Sequence, residues 1–270
     1  MMQLAGTSVL LTGAAGGIGA ALCAELAGTG VDVIAVGRDV PALARLAARG
    51  GAPGDGHVVP VTADITRPEG RARVLAAVAA ARAPLRCVIH NAGVSRFGLY
   101  AEIEPAAIIE QVEVNLLAPM LLTQALLGRL LREPEAALVG IGSTFGSIGY
   151  PGYAGYCAGK FGLRGFLEAL AREHADTALR VLHVAPRATR TSMNPAAATA
   201  LNRELGVAID EPDAVARQII AAIRKGRRRL QLGWPEKFYT RVNGALPALV
   251  DRSIARQLPR IRRHARLAAT

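Results

Sequence analysis

Short apolar runs alternate with longer stretches of helical character along the first 225 residues of the chain. Ser8–Thr12 (SVLLT) reads as a first strand and Gly17–Gly28 as the helix after it. Val31–Val36 (VDVIAV) is β-branched and predicts a second strand, followed by a helix over Val40–Arg49 that Asp39 is placed to cap. His57–Thr62 predicts a third strand, the Ala-rich Pro68–Arg82 a helix, and Arg86–His90 a fourth strand. A long helical stretch over Pro105–Leu131 precedes a strand over Ala137–Gly142, a helix over Gly155–His174 and a sixth strand over Leu179–Val184. Asp213–Arg224 predicts a further helix and Arg229–Leu232 a short last strand. Such alternation predicts an α/β fold, with a parallel sheet covered by helices on both faces. The strands are apolar almost without interruption, as strands buried on both faces are. A sheet of this kind takes its ligand at the carboxyl ends of the strands, near the switch in strand order.

Two stretches fall outside the alternation. Residues 187–212 read as a mobile helical flap, rich in Ala, Met and Leu, that closes over a substrate. Residues 233–270 read as an added tail, so the expected division is a main domain over 1–232 and an extension over 233–270. In the tail, Phe238, Val242, Leu246, Leu249, Ile254, Leu258 and Ile261 follow at steps of three to five, with arginines between them. Pro247 and Pro259 are expected to break this stripe into short helical pieces.

Charge sharpens the picture of the tail. The chain carries a net charge of +11, and residues 226–270 hold eleven Lys/Arg against two Asp/Glu, a balance of +9. The remainder, 21 basic and 19 acidic residues, is close to neutral at +2. This asymmetry points to an anionic partner for the tail. A basic amphipathic helix suits peripheral contact with an anionic membrane; the alternative is a helix packed on the body or on a sister subunit, with its arginines in water. Nucleic acid is disfavoured, because the aromatics Trp234, Phe238 and Tyr239 sit at one end only.

Composition excludes other classes. The three cysteines form no C-x-x-C, so neither a disulfide framework nor a zinc site is expected, and a reduced, cytoplasmic compartment fits. The five histidines show no ligand spacing, and no metal is predicted. The apolar first thirty residues lack a basic n-region and are interrupted by glycines, unlike a signal peptide. No run of about 18 uninterrupted apolar residues occurs, so no spanning helix is expected.

Chemistry enters with the glycines. Thr12-Gly13-Ala14-Ala15-Gly16-Gly17-Ile18-Gly19 follows the first strand and opens a helix. Gly13 permits a tight turn, and Gly17 and Gly19 permit close approach of backbone to pyrophosphate and of helix to sheet. The free N–H groups of the helix start suit phosphate. After the second strand, Gly37-Arg38-Asp39 puts a guanidinium where a ribose 2′-substituent is read. A planar cation suits a 2′-phosphate, so NADP(H) is favoured and NAD(H) is the alternative. Asp39 is the counter-indication, which its role as helix cap explains. Tyr156 and Lys160, four residues apart, share a helix face. An ammonium beside a phenol is expected to lower the phenol's pKa and to make an acid/base unit for a carbonyl oxygen. Ser143 lies thirteen residues before the tyrosine.

Together these residues resemble the short-chain dehydrogenase/reductase family over roughly residues 5–225. The glycine loop matches its T-G-x-x-x-G-x-G pattern, Asn91-Ala92-Gly93 its N-A-G motif, and Asn115, Ser143, Tyr156 and Lys160 its catalytic tetrad. The resemblance implies a Rossmann-like doubly wound parallel sheet flanked by helices on both faces, with the basic helical tail appended. It implies that Tyr156 protonates the carbonyl oxygen during reduction, with the role reversed in oxidation. Lys160 bonds the nicotinamide ribose and acidifies the tyrosine, Ser143 holds the substrate oxygen, and Asn115 holds a water that links Lys160 to solvent. Cofactor contacts are implied at Gly13, Ala15, Gly17, Ile18, Gly19, Arg38, Asp64, Ile65, Asn91, Ala92, Gly93, Tyr156, Lys160, Pro186, Thr189 and Thr191. Asp64 is the adenine contact among these, and Asn91 chiefly braces the central strand. The family's Gly after the sixth strand is replaced here by Arg187, which would be strained if the position needed positive φ.

The expected activity is an NADP(H)-dependent interconversion of carbonyl and alcohol. The apolar flap, with Ser95, Phe97 and Leu99, suggests a lipophilic substrate such as a 3-oxoacyl chain, a sterol or another lipid ketone. A homodimer or homotetramer is implied by the resemblance. The rival class is a non-catalytic NADP(H)-sensing or scaffold protein on the same fold, against which the intact Ser143, Tyr156 and Lys160 argue.

Overall fold

The computed structural model describes residues 1–48 and 54–267. Its seven strands are β1 (Ser8–Thr12), β2 (Asp32–Gly37), β3 (Val58–Thr62), β4 (Leu85–His90), β5 (Ala136–Ile141), β6 (Leu179–Ala185) and β7 (Arg229–Gln231). They form one sheet in the order β3-β2-β1-β4-β5-β6-β7, and every pairing is parallel. The strand order switches between β1 and β4, which opens a crevice at their carboxyl ends. Pro60 is tolerated in β3 because that strand lies at the sheet edge.

Alternation along the strands feeds two cores. Val9 and Leu11 of β1 point to one face, where they meet Leu22 and Leu26 of α1 (Gly17–Ala27) and Val215 and Ile219 of α8 (Pro212–Arg224). Leu10 points to the other face and joins a cluster with residues of three further helices. These are α3 (Pro68–Ala79), α5 (Ala118–Leu130) and α6 (Ala154–Glu173). The remaining helix beside β2 is α2 (Val40–Ala47), capped by Asp39 as expected, with the Ala42 N–H donating to its Oδ1 at 2.9 Å. The sequence placed the end of this helix at Arg49, which lies outside the described residues.

The long helical stretch expected over Pro105–Leu131 is interrupted. It comprises α4 (Pro105–Val112), a π turn over Glu113–Leu117, and α5. Pro119 supplies a local reason. It has no N–H, so the main-chain carbonyl of Asn115, four residues earlier, cannot take the usual helical bond. By length and apolarity Pro105–Leu130 could cross a membrane, but here Leu122, Leu126 and Leu130 are buried against the sheet.

The flap holds α7 (Ala196–Glu204) and is pinned at its ends by a bridge between Thr189 and Asp210. The tail forms α9 (Glu236–Ala245) and α10 (Pro247–Leu267). Pro247 begins a helix, in line with its predicted breaking role, but Pro259 lies inside α10 without ending it. An interior proline costs about 3 kcal/mol. Against that, α10 buries Ile261 and Ala265 on Phe97, Ala198 and Leu201 in a third core, and a buried Ile side chain contributes about 1.5–3 kcal/mol. The tail is therefore a packed part of the structure at the flap.

Candidate functional site

The glycine loop turns between β1 and α1 at the crevice. Gly13 has φ +65°, and a Cβ there would lie 2.7 Å from the Ala92 Cα. A Cβ on Gly19 would strike the Gly13 carbonyl, and one on Gly17 would come within 2.6 Å of the Thr191 methyl. The first turn of α1 holds no acidic residue and no capping side chain. The N–H groups of Gly17, Ile18 and Gly19 find no acceptor among the described residues. A loop stripped of side chains, under a helix start with free donors, fits the pyrophosphate of a dinucleotide.

Asn91 locks this loop to β4. Its Nδ2 donates to the carbonyls of Thr12 and Gly13, at 3.2 and 3.0 Å. The Thr12 hydroxyl oxygen accepts from the N–H groups of Asn91 and Ala92, both at 3.1 Å. Further along the crevice lie Gly37, Arg38, Asp64 and Ile65. Arg38 is exposed. Asp64 Oδ1 accepts from the N–H and the hydroxyl of Thr66, which shapes a turn. Burial alone would raise the Asp64 pKa, but these bonds and the Arg38 and Arg67 cations hold it below the usual carboxylate range. Ala15 is half-buried in the loop.

The tetrad residues converge from three segments. Ser143 follows β5, Tyr156 and Lys160 lie on α6, and Asn115 lies in the π turn. The glycines of α6 explain how two helices come this close. Gly155, Gly159 and Gly162 share one face, where Cβ atoms would meet Gln111 Nε2 at 2.8 Å, Asn115 Cβ at 3.0 Å and a Leu116 methyl at 2.7 Å. Asn115, fully buried, pairs both side-chain atoms with Val94, accepting its N–H at 3.0 Å and donating to its carbonyl at 2.8 Å. A Cβ on Gly93 would sit 3.0 Å from Asn115 Oδ1 and 3.3 Å from Lys160 Nζ, so only bare backbone passes there.

Burial pushes the Tyr156 pKa up to about 12, against a smaller lowering from the neighbouring Ser143 hydroxyl. Lys160 Nζ donates to the Ile141 carbonyl at 2.9 Å and lies 5.7 Å from the centroid of the Tyr156 ring. Burial pulls its pKa down to about 8. The expected acidification of the phenol by the lysine is thus not what this arrangement produces. Loss of water around the hydroxyl outweighs a cation that flanks the ring rather than the oxygen.

Beside the phenol lies a group of rings of which the sequence pointed only to Phe97. Phe145 stacks on Tyr150 at 4.8 Å, and Tyr153 lies 5.0 Å from Phe97, 5.1 Å from Phe145 and 6.1 Å from Tyr156. The flap core closes beside them through Ala198 and Leu201. The signal was the local density of aromatics over 145–156 in a chain that is only 4% aromatic.

Beyond β6, Pro186 is buried and its carbonyl accepts from the Thr144 N–H at 2.9 Å. Arg187 is unstrained, since no described non-glycine residue has positive φ. Its guanidinium pairs with Asp210 at 2.7 Å and Glu236 at 3.6 Å and donates to the Trp234 carbonyl at 3.4 Å. It ties the flap and α9 to the end of β6. Thr189 is buried, its hydroxyl given to the Arg187 carbonyl, while Thr191 lies over Gly17.

A switch-point crevice with a glycine cradle, opening onto a serine, a phenol and a lysine, defines a dinucleotide-dependent oxidoreductase. The model of the short chain dehydrogenase family matches residues 7–202, and the chain belongs to that family. It is 31% identical over 195 residues to the 3-oxoacyl-acyl-carrier-protein reductase FabG of Escherichia coli K12, covering 72% of this chain and 78% of the relative. A short-chain dehydrogenase from Sphingobium yanoikuyae solved with NADPH is 25% identical, with a TM-score of 0.77 over 91% of this chain and 95% of that one. A Burkholderia phymatum family member solved with NAD superposes with a TM-score of 0.83 at 20% identity, over 92% and 96% of the chains.

Proposed function

We propose that this protein is an NADP(H)-dependent reductase of lipophilic ketones. The observation that carries it is the convergence of Ser143, Tyr156 and buried Lys160 at the glycine-lined crevice, with Lys160 Nζ held on the Ile141 carbonyl and 5.7 Å from the centroid of the Tyr156 ring. The bound dihydronicotinamide supplies the hydride. Tyr156 holds its proton at neutral pH, as an ordinary phenol does, burial raises its pKa further, and it donates that proton to the carbonyl oxygen as charge develops there. Ser143 donates a hydrogen bond to the same oxygen. Asn115 anchors the backbone at Val94 through its side chain, which leaves its main-chain carbonyl to hold a water for reprotonation. Arg38 would hold the 2′-phosphate, and the N–H groups of Gly17, Ile18 and Gly19 would hold the pyrophosphate.

The ring group of Phe97, Phe145, Tyr150 and Tyr153 supports an apolar substrate, as does the relation to a 3-oxoacyl reductase. The exposed strip of Ile109, Val112, Leu117, Met120, Leu121 and Phe161 supports a homo-oligomer built on α4, α5 and α6. Light scattering should give a mass above one chain. All three cysteines are free and buried, in keeping with a reducing compartment.

A panel of lipophilic ketones with NADPH and NADH, followed at the nicotinamide absorbance, tests the assignment. Turnover is expected with NADPH preferred, and Tyr156→Phe should lower it by about 10² to 10⁴-fold while nucleotide binding persists. Undiminished turnover in that variant would remove Tyr156 as proton donor.

A further inference from the structure

The outer side of α9 presents a surface unlike the rest of the molecule. No residue of α9 is buried. Trp234 is 69% exposed, and Phe238, Tyr239, Leu246 and Leu249 follow at 52, 44, 58 and 52%. The three rings touch one another, Trp234 on Phe238 at 6.3 Å and Phe238 on Tyr239 at 5.9 Å. Lys237, Arg241, Arg252 and Arg256 interleave with or follow them along the chain, all exposed and without an ion pair among the described residues. The contrast lies within the same tail, where Arg260, Arg263 and His264 all engage Glu204. Glu236, the one acid of α9, is turned inward onto Arg187.

The inner side of the helix is fastened to the active-site rim. Arg187, directly after β6, holds Glu236 and the Trp234 carbonyl. At the other end, Asn243 donates to the carbonyl of Ser147, in the segment that carries Ser143. Farther along the tail, Tyr150 donates to Gln257 on α10. The exposed rings and cations are thus rigidly displayed next to the substrate entrance.

We propose that α9 and its turn into α10 form an interfacial docking face for an anionic phospholipid surface. Trp and Tyr favour the boundary between water and hydrocarbon. Exposed apolar residues framed by unpaired Lys and Arg are the composition that binds anionic bilayers from the side. A second copy of the chain fits this face less well, because a two-fold contact sets the same unpaired cations against one another. Docking here turns the flap and substrate entrance toward the lipid phase, where a lipophilic ketone concentrates. Docking itself does not depend on the redox assignment, and its readout is lipid binding rather than turnover.

Trp234 is the only tryptophan of the chain and reports directly on this face. The full-length protein is titrated with vesicles of phosphatidylcholine alone and of phosphatidylcholine with phosphatidylglycerol, following tryptophan emission and co-sedimentation. With the anionic vesicles, emission should shift to the blue, acyl-chain-brominated lipid should quench it, and high salt should reverse both. Neutral vesicles should bind at least about tenfold more weakly. Phe238→Ser/Leu249→Ser and, separately, Arg241→Glu/Arg252→Glu should each lose anionic-vesicle binding while reduction of a water-soluble ketone is unchanged. Absence of binding, equal binding to both vesicle types, or a blue shift that grows with protein concentration without lipid would each overturn the proposal. The last outcome would assign the face to self-association.

Discussion

At the residue scale, the phenol of Tyr156 is governed by two opposing effects. The lysine one turn away favours phenolate, while burial beside Tyr153 and within the helix packing favours the neutral form. Burial wins, with Tyr156 near 12 and Lys160 near 8. The sign follows directly. Below its pKa the phenol keeps its proton, so carbonyl reduction needs no prior ionisation, whereas alcohol oxidation needs the scarce phenolate. For oxidation, log kcat/KM is expected to rise by about one per pH unit through pH 9, while reduction stays level up to pH 8. A plateau in the oxidation profile that begins below pH 8 would show the cation to be dominant. The identity of Tyr156 was legible in the sequence. Its titration was not, because desolvation depends on what packs around the ring.

Elements decide how the site is held. The face of α6 that carries Gly155, Gly159 and Gly162 lets α4 and the π turn press against it, which puts Asn115 beside Lys160. Gly159→Val should therefore push Asn115 away. An overpacking loss of about 1–3 kcal/mol in stability is expected, measured by denaturant unfolding, with a larger drop in kcat than in KM. The glycine spacing is visible in the chain, as are the loop at Gly13–Gly19 and the strand–helix alternation, since each is a local pattern. The π turn was not foreseen. A helical period continues through it, and only Pro119, placed to deny Asn115 its bond, hints at the interruption. Pro259 misled in the opposite direction. A local rule says break, but packing at Ile261 keeps α10 whole.

On the scale of the whole molecule, the tail is a wall of the flap core. The match to the family model stops at residue 202, so α8, β7, α9 and α10 lie beyond it. Ile261 is fully buried against the flap core. Ile261→Ala should cost about 2–5 kcal/mol if that core acts as one unit. The expected signature is a lowered Tm together with a raised KM for the ketone and an unchanged affinity for NADPH. Loss of NADPH affinity to the same degree would indicate general unfolding rather than a loosened flap. The charge asymmetry of the chain was evident from composition, but the sorting of its arginines was not. Arg260 and Arg263 are consumed by Glu204, while Arg241, Arg252 and Arg256 remain for a partner.

The chain by itself determined the succession of strands and helices, the glycine loop and the choice of Asn115, Ser143, Tyr156 and Lys160 as candidates. These rest on side-chain period, backbone permissiveness and spacing along one helix, all properties of near neighbours. Tertiary structure alone decided that burial raises the phenol's pKa rather than the lysine lowering it, that four other rings gather beside it, and that α10 folds back onto the flap. It also decided that Arg187, where a glycine was expected, joins Asp210 to Glu236. Each of these depends on groups far apart in sequence meeting in space, where exclusion of water and the competition of several partners fix the outcome.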